Sequence, residues 1–95
     1  MRWTWDRNKA QANLRKHGVP FDLAERALND PFSLSVPDPC STENRWRTVG
    51  KPSSASLVVL FVVHTWPDDE DGEGRIISAR RAAPSERKAY EEGQF

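Results

Sequence analysis

Two adjacent arginines, Arg80 and Arg81, end an alternating run, and Pro84 just beyond them opens a charged helical stretch. A guanidinium fork matches phosphate oxygens two at a time, so arginines at a strand end beside a helix start suit a phosphate. In a strand over residues 75–81, Ile76, Ser78 and Arg80 point one way and Arg75, Ile77, Ala79 and Arg81 the other. Only one of the pair can therefore look into a given site. The plainer reading makes both of them solubilising strand-edge residues, or partners of acidic side chains.

His64 closes an apolar run after Val58, Leu60 and Val62 on one face. A histidine there can move protons near neutral pH, or can be a half-buried ring bonded to a neighbouring strand. Lys16 and His17 end a helical stretch, where cations offset the helix dipole; the same groups can hold a phosphate. Glu86 and Tyr90 are i,i+4 neighbours on the last helical run, with Arg87 between them. They aim polar groups at a substrate, or they form an ordinary solvated face. There is no glycine-rich phosphate loop, no calcium-loop spacing and no zinc-type cluster. The dense carboxylates lie in one loop segment, a poor scaffold for a metal-dependent nuclease. Any phosphodiester chemistry here is expected to be metal-free acid–base work, without a cofactor.

The elements that must position these groups read in order as β-α-α-β-β-β-β-α. Residues 3–5 alternate as a short aromatic strand, and Asp6 caps a helix over 7–17 that stops at Gly18. Ala10, Leu14 and His17 form its narrow stripe. Asp22 and Glu25 have capping-box spacing for a second helix, with Leu23, Ala24, Ala27 and Leu28 inward and a stop at Asn29-Asp30-Pro31. Strands follow at 32–36, with Phe32, Leu34 and Val36 inward, and at 45–49, where Arg45, Arg47 and Val49 share a face. The run 57–64 is apolar on both faces, as a central strand is. The last four strands are joined too closely for helical crossovers and predict an antiparallel meander, with residues 3–5 as a possible edge strand. The fold class is α+β: a small sheet, two helices before it and one after it, with residues 93–95 frayed.

Ninety-five residues make one domain with a modest core. The net charge of zero conceals an asymmetry. Asp68, Asp69, Glu70, Asp71 and Glu73 crowd one segment, and without them 14 basic residues face nine acidic ones, a surplus of five. A basic body suits nucleic acid or an acidic protein, and an ordinary mixed surface with one solvated loop is the alternative. Cys40 is the single cysteine, so no internal disulfide forms, and a reducing, cytoplasmic compartment is expected. No leader is apparent, and the run 57–63 is far too short to span a bilayer.

Trp5-Asp6, Lys9, Asn13, Lys16-His17-Gly18-Val19, Phe21, Asp30-Pro31, Arg45-Trp46, Val49-Gly50, Val62-Val63-His64-Thr65, Arg75 to Ala82, Glu86-Arg87 and Tyr90-Glu91 occur in an order that resembles the BrnT family. That family comprises bacterial ribonuclease toxins of type II toxin–antitoxin systems with a RelE-like fold. The resemblance implies RNA cleavage, growth arrest and a BrnA-like DNA-binding antitoxin, two toxins with two antitoxins, so that operator DNA is met only through the antitoxin. It implies a catalytic set of Arg80, His64, Arg45 and Glu86, and RNA contacts from Lys16, His17, Arg75, Arg81, Arg87 and Tyr90. Trp66 and the acidic stretch 67–74 depart from the shorter, more basic hairpin expected. That stretch can repel RNA, cover a basic site, or simply be solvated. Against the nuclease stands a non-catalytic module that tunes an antitoxin's DNA binding. A DNA-binding domain in its own right is disfavoured, because no recognition helix with a basic base-reading face stands out.

Overall fold

A computed structural model describes residues 2–39, 44–67 and 72–95. Its elements are β1 (Arg2–Thr4), α1 (Arg7–His17), α2 (Phe21–Leu28), β2 (Leu34–Pro37), β3 (Arg45–Gly50), β4 (Leu60–Thr65), β5 (Glu73–Arg81) and α3 (Pro84–Glu92). The strands form one sheet in the order β1-β5-β4-β3-β2. β2 to β5 pair antiparallel in sequence order, and β1 adds at the β5 edge in parallel, which makes the sheet mixed. Cys40 and the acids 68 to 71 lie outside the described residues.

The two faces of the sheet are covered unequally. On one, α1 and α2 bring Val19, Phe21, Ala24 and Ala27 against Leu60, Val62, Ile76 and Ala79. On the other, Val49, Val59 and Phe61 carry Leu34, Val63, Ala82 and Tyr90. α3 buries no residue fully, so it roofs only part of that second face.

Local chemistry moves several expected boundaries. The Phe32 amide donates to Asp30 Oδ1 at 2.9 Å, a turn that leaves Phe32 75 % exposed and delays the strand to Leu34. Val58 N–H donates to Ser56 Oγ, which in turn donates to Val58 O. That closed local loop delays β4 to Leu60, although Val59 O still accepts from Ala82 N–H at 2.9 Å, and Leu57 projects into solvent. Asp22 does not cap α2: the helix begins at Phe21 after Pro20, and Asp22 sits in its first turn beside the positive end of the dipole. Trp5 lies beyond the end of β1, while Asp6 caps α1 by accepting from Lys9 N–H at 3.0 Å.

Two corrections matter for function. α1 turns Asn13 inward, while Leu14 of the expected stripe is half exposed. β1 covers only Glu73 to Arg75 of the β5 edge. Further along that edge, Asn13 Nδ2 donates to Ala79 O at 2.8 Å and to Val19 O at 3.1 Å, and Ala79 N–H donates to Asn13 Oδ1 at 3.1 Å. A side chain thus supplies the pairing that a strand would give. The second correction is a bulge. His64 pairs with Ile76 but Val63 with Ser78, so Ile77 is an extra residue. It resets the alternation, placing Ile76 with Ala79 against the helices rather than with Ser78 and Arg80.

Candidate functional site

Cross-strand pairing defines the open face. Val49 stands opposite Phe61, and Phe61 opposite Arg80; Arg47 stands opposite Val63, and Val63 opposite Ser78. With Arg45 two residues before Arg47, the uncovered end of this face carries Arg45, Arg47 and Arg80. Glu86 reaches it from the first turn of α3.

Arg80 sits over Phe61, its guanidinium carbon 4.1 Å from the ring centroid. Its Nη1 and Nη2 donate to the two Glu86 oxygens at 2.8 and 3.0 Å, and Nη1 also donates to Arg81 O at 3.1 Å. A guanidinium has five N–H bonds. The end-on edge is taken by Glu86, and the remaining Nη1–H by the carbonyl. Nε–H and the second Nη2–H have no partner among the described residues, and these two are parallel, so a complete side-on fork is left. Glu86 in turn accepts from Ala83 N–H at 2.7 Å, capping α3. Burial pushes the Glu86 carboxyl upward, but the hydrogen bonds from Arg80 and Ala83 and the charges of Arg80 and Arg47 outweigh it. The acid is held below the ordinary carboxylate range. It is ionised at neutral pH.

Arg47 is the residue that reading the sequence passed over. Its charge acts on Glu86, and its Nε–H is buried without a hydrogen-bond partner among the described residues. The signal was available: Arg45 and Arg47 alternate onto one face of one strand.

His64 sits on the opposite face, fully buried. Its Nδ1 lies 3.0 Å from Thr65 O, and a carbonyl only accepts, so the neutral ring carries its proton on Nδ1. Nε2 then accepts from the Thr48 hydroxyl at 2.6 Å, and Thr48 meets Ser35 Oγ at 2.7 Å. Trp3 and Trp66 pack against the ring at 5.0 and 5.4 Å between centroids. His64 and Arg80 are therefore not brought together. The sheet lies between them, and Trp66, the departure noted in the sequence, helps to seal the histidine.

Burial, against the weaker opposing effect of the Thr65 carbonyl, lowers the His64 pKa below its ordinary 6.5. The unfolded chain takes up this proton first. The contribution to stability is therefore complete above about pH 6.5 and is lost as pH falls from there through the folded value. Melting temperatures measured from pH 8 to 5.5 should fall on the acid side, and His64→Gln should flatten that slope. A flat profile for the parent protein would contradict this account.

The other candidates disperse. Lys16 and His17 end α1, on the His64 side of the sheet, and Arg81 lines a small cavity there with Gly18 and Val19. Arg75 neighbours inward-facing Ile76 and so points toward the Arg80 face, near the far end of β5. Arg87 pairs with Glu91 at 3.0 Å along α3. Tyr90 turns away, donating to Asp30 Oδ2 at 2.6 Å and tying α3 to the end of α2. Burial, then the bond to Asp30 and its charge, push the phenol up to about 12. Among the described residues, no group of three or more His, Cys, Asp or Glu is placed to hold a metal, and no helix is long and apolar enough to cross a membrane.

Residues 5–86 match the family model described as the ribonuclease toxin BrnT of type II toxin–antitoxin systems. The structure is similar to the 1.1 Å crystal structure of the Brucella abortus ribonuclease toxin BrnT, with a TM-score of 0.66 and 26 % sequence identity. That similarity covers 87 % of this chain and 97 % of the Brucella chain. No curated protein matches the sequence.

Proposed function

Because this chain belongs to the BrnT family of type II toxin–antitoxin ribonuclease toxins, we propose that it is an endoribonuclease that cleaves RNA by attack of a 2′-hydroxyl on the adjacent phosphate, without a metal ion. The observation that carries this reading is the side-on fork of Arg80, which no described residue occupies, braced on Phe61 beside an ionised Glu86. The fork suits two non-bridging phosphate oxygens, and its charge opposes the negative charge that grows on them in the transition state. Glu86 accepts the 2′-hydroxyl proton, the 2′-oxygen–phosphorus bond forms, the bond to the 5′-oxygen breaks, and the departing oxygen takes a proton from solvent. Arg47 and Arg45 extend the positive track for neighbouring phosphates. His64, Lys16, His17 and Arg81 lie on the other side of the sheet from this track, so in this reading they support the fold or the partner surface.

The toxin acts in the cytoplasm and is neutralised by a BrnA-like DNA-binding antitoxin, two copies with two, which alone contacts operator DNA. A second reading, a non-catalytic module that acts through its antitoxin, draws on one observation: the bidentate Arg80–Glu86 pair also clamps α3 to β5 and already occupies half of Arg80.

The deciding experiment is incubation of free RNA with purified protein in excess EDTA. Products ending in 2′,3′-cyclic phosphate are expected. Intact RNA, together with normal growth of cells expressing the toxin without antitoxin, would favour the binding module.

A further inference from the structure

The geometry points to Phe95 as a base-stacking residue that, with Arg47, makes a nucleotide subsite next to the Arg80 fork; this rests on the ribonuclease reading above. Beyond α3 the chain turns back at Gly93, in the left-handed conformation that favours glycine, and Gln94 N–H bonds to Ala89 O at 2.9 Å. That turn carries the tail, expected from sequence to fray, onto the sheet face. The Phe95 ring stands 6.0 Å from the Arg47 guanidinium carbon and is 39 % exposed.

Three features make this a place for a nucleotide. The first is the state of Arg47. It donates no hydrogen bond to the described residues, and its Nε–H is buried and unmatched. That Nε–H is closed to solvent, so a phosphate meets the guanidinium at its Nη groups, which donate to no described residue. The second is spacing. Arg47 and Arg80 flank β4 with a two-residue offset, about 12 Å between Cα atoms at ordinary strand spacing. Glu86, bonded to Arg80, is also under the charge of Arg47, so both guanidiniums act on one carboxylate. The third is the ring. Phe61 is covered by Arg80, but Phe95 keeps exposed surface beside a cation. Single-stranded RNA is gripped by this combination, a backbone-tracking charge with an aromatic on which an unpaired base lies. Phe95 lies outside residues 5–86, the part that the family model matches.

The test measures affinity for an uncleavable single-stranded 2′-O-methyl RNA oligonucleotide, and cleavage of the matching RNA. Phe95→Ala should weaken binding about tenfold. The loss should appear in KM more than in kcat, since the residue touches a base and not the reacting atoms. Phe95→Trp should retain affinity, and Phe95→Leu, apolar but without a π face, should not. An abasic nucleotide walked along the RNA should, at one position, cost the parent protein that same factor and cost Phe95→Ala nothing more. Unchanged binding by Phe95→Ala, or tighter binding as for a displaced cover over Arg47, overturns the subsite while leaving the nuclease intact. A parent protein that neither binds nor cleaves RNA overturns both readings.

Discussion

Arg80→Ala should cut RNA cleavage by at least about a hundredfold, the scale seen when one preorganised donor to a developing oxyanion is removed. The variant loses the side-on fork, the charge over Phe61 and the group that fixes Glu86. Arg80→Lys separates these effects. It restores a cation but not a planar fork, and an ammonium does not replace the guanidinium that sits over Phe61. Most of the activity should therefore stay lost. Glu86→Gln keeps an acceptor for Ala83 N–H and removes the carboxylate, so it should stay folded and lose activity as well. Single-turnover rates would be read beside thermal melts. Arg80 is more than a third exposed, so its pair with Glu86 adds little to stability, and the melting temperature should move by only a few degrees. A folded Arg80→Ala protein that cleaves at the parent rate would remove Arg80 from the chemistry.

The meander was legible in sequence because its strands are marked by short connections and by apolar runs of strand length, and these are local signals. What misled was also local, but of a kind that periodicity does not carry. A two-residue repeat assumes an unbroken ladder, and one bulged residue at Ile77 reverses the phase of everything before it. Ser56 and Asp30 each capture a nearby backbone amide and so decide where β4 and β2 begin, although the apolar pattern starts earlier.

The site shows the same division. Arg80 and Glu86 are six residues apart, joined by one turn from strand to helix; each stood out as a candidate, but their ion pair shows only in the folded turn. His64 and Arg80 both looked chemical, and both sit on interior strands, but which face each one serves depends on the count of residues between them in the folded ladder. Arg47 shares a strand face with Arg45 in the sequence, but its effect on Glu86 shows only once β3 is laid beside β4 and α3 is in place. Phe95 was assigned to a fraying tail because the turn at Gly93 that returns it to the sheet is set by one glycine conformation.

Asn13 is where stability and site meet, and Asn13→Leu should be the most damaging single change to the fold. Leucine fits the volume and suits a helix. It nevertheless leaves Val19 O, Ala79 O and Ala79 N–H without the partner that Asn13 now supplies, in a region closed to water. Each orphaned buried group costs about 1–3 kcal/mol, and because the three share one side chain their costs do not simply add. A loss of about 3–4 kcal/mol is a large part of the 5–15 kcal/mol that holds an ordinary domain together. Urea titration should show a much lower midpoint with an unchanged slope. Asn13→Asp sharpens the test. It keeps the acceptor for Ala79 N–H but replaces the doubly donating Nδ2 by one oxygen that faces the Val19 and Ala79 carbonyls, and it buries a charge, so it should be at least as harmful as leucine at neutral pH. If Asn13→Leu melts like the parent, β5 is held by packing alone and the side chain is not its missing strand. If it melts early, cleavage should fail at that same lower temperature, because the strand that Asn13 holds at Ala79 is the one that carries Arg80.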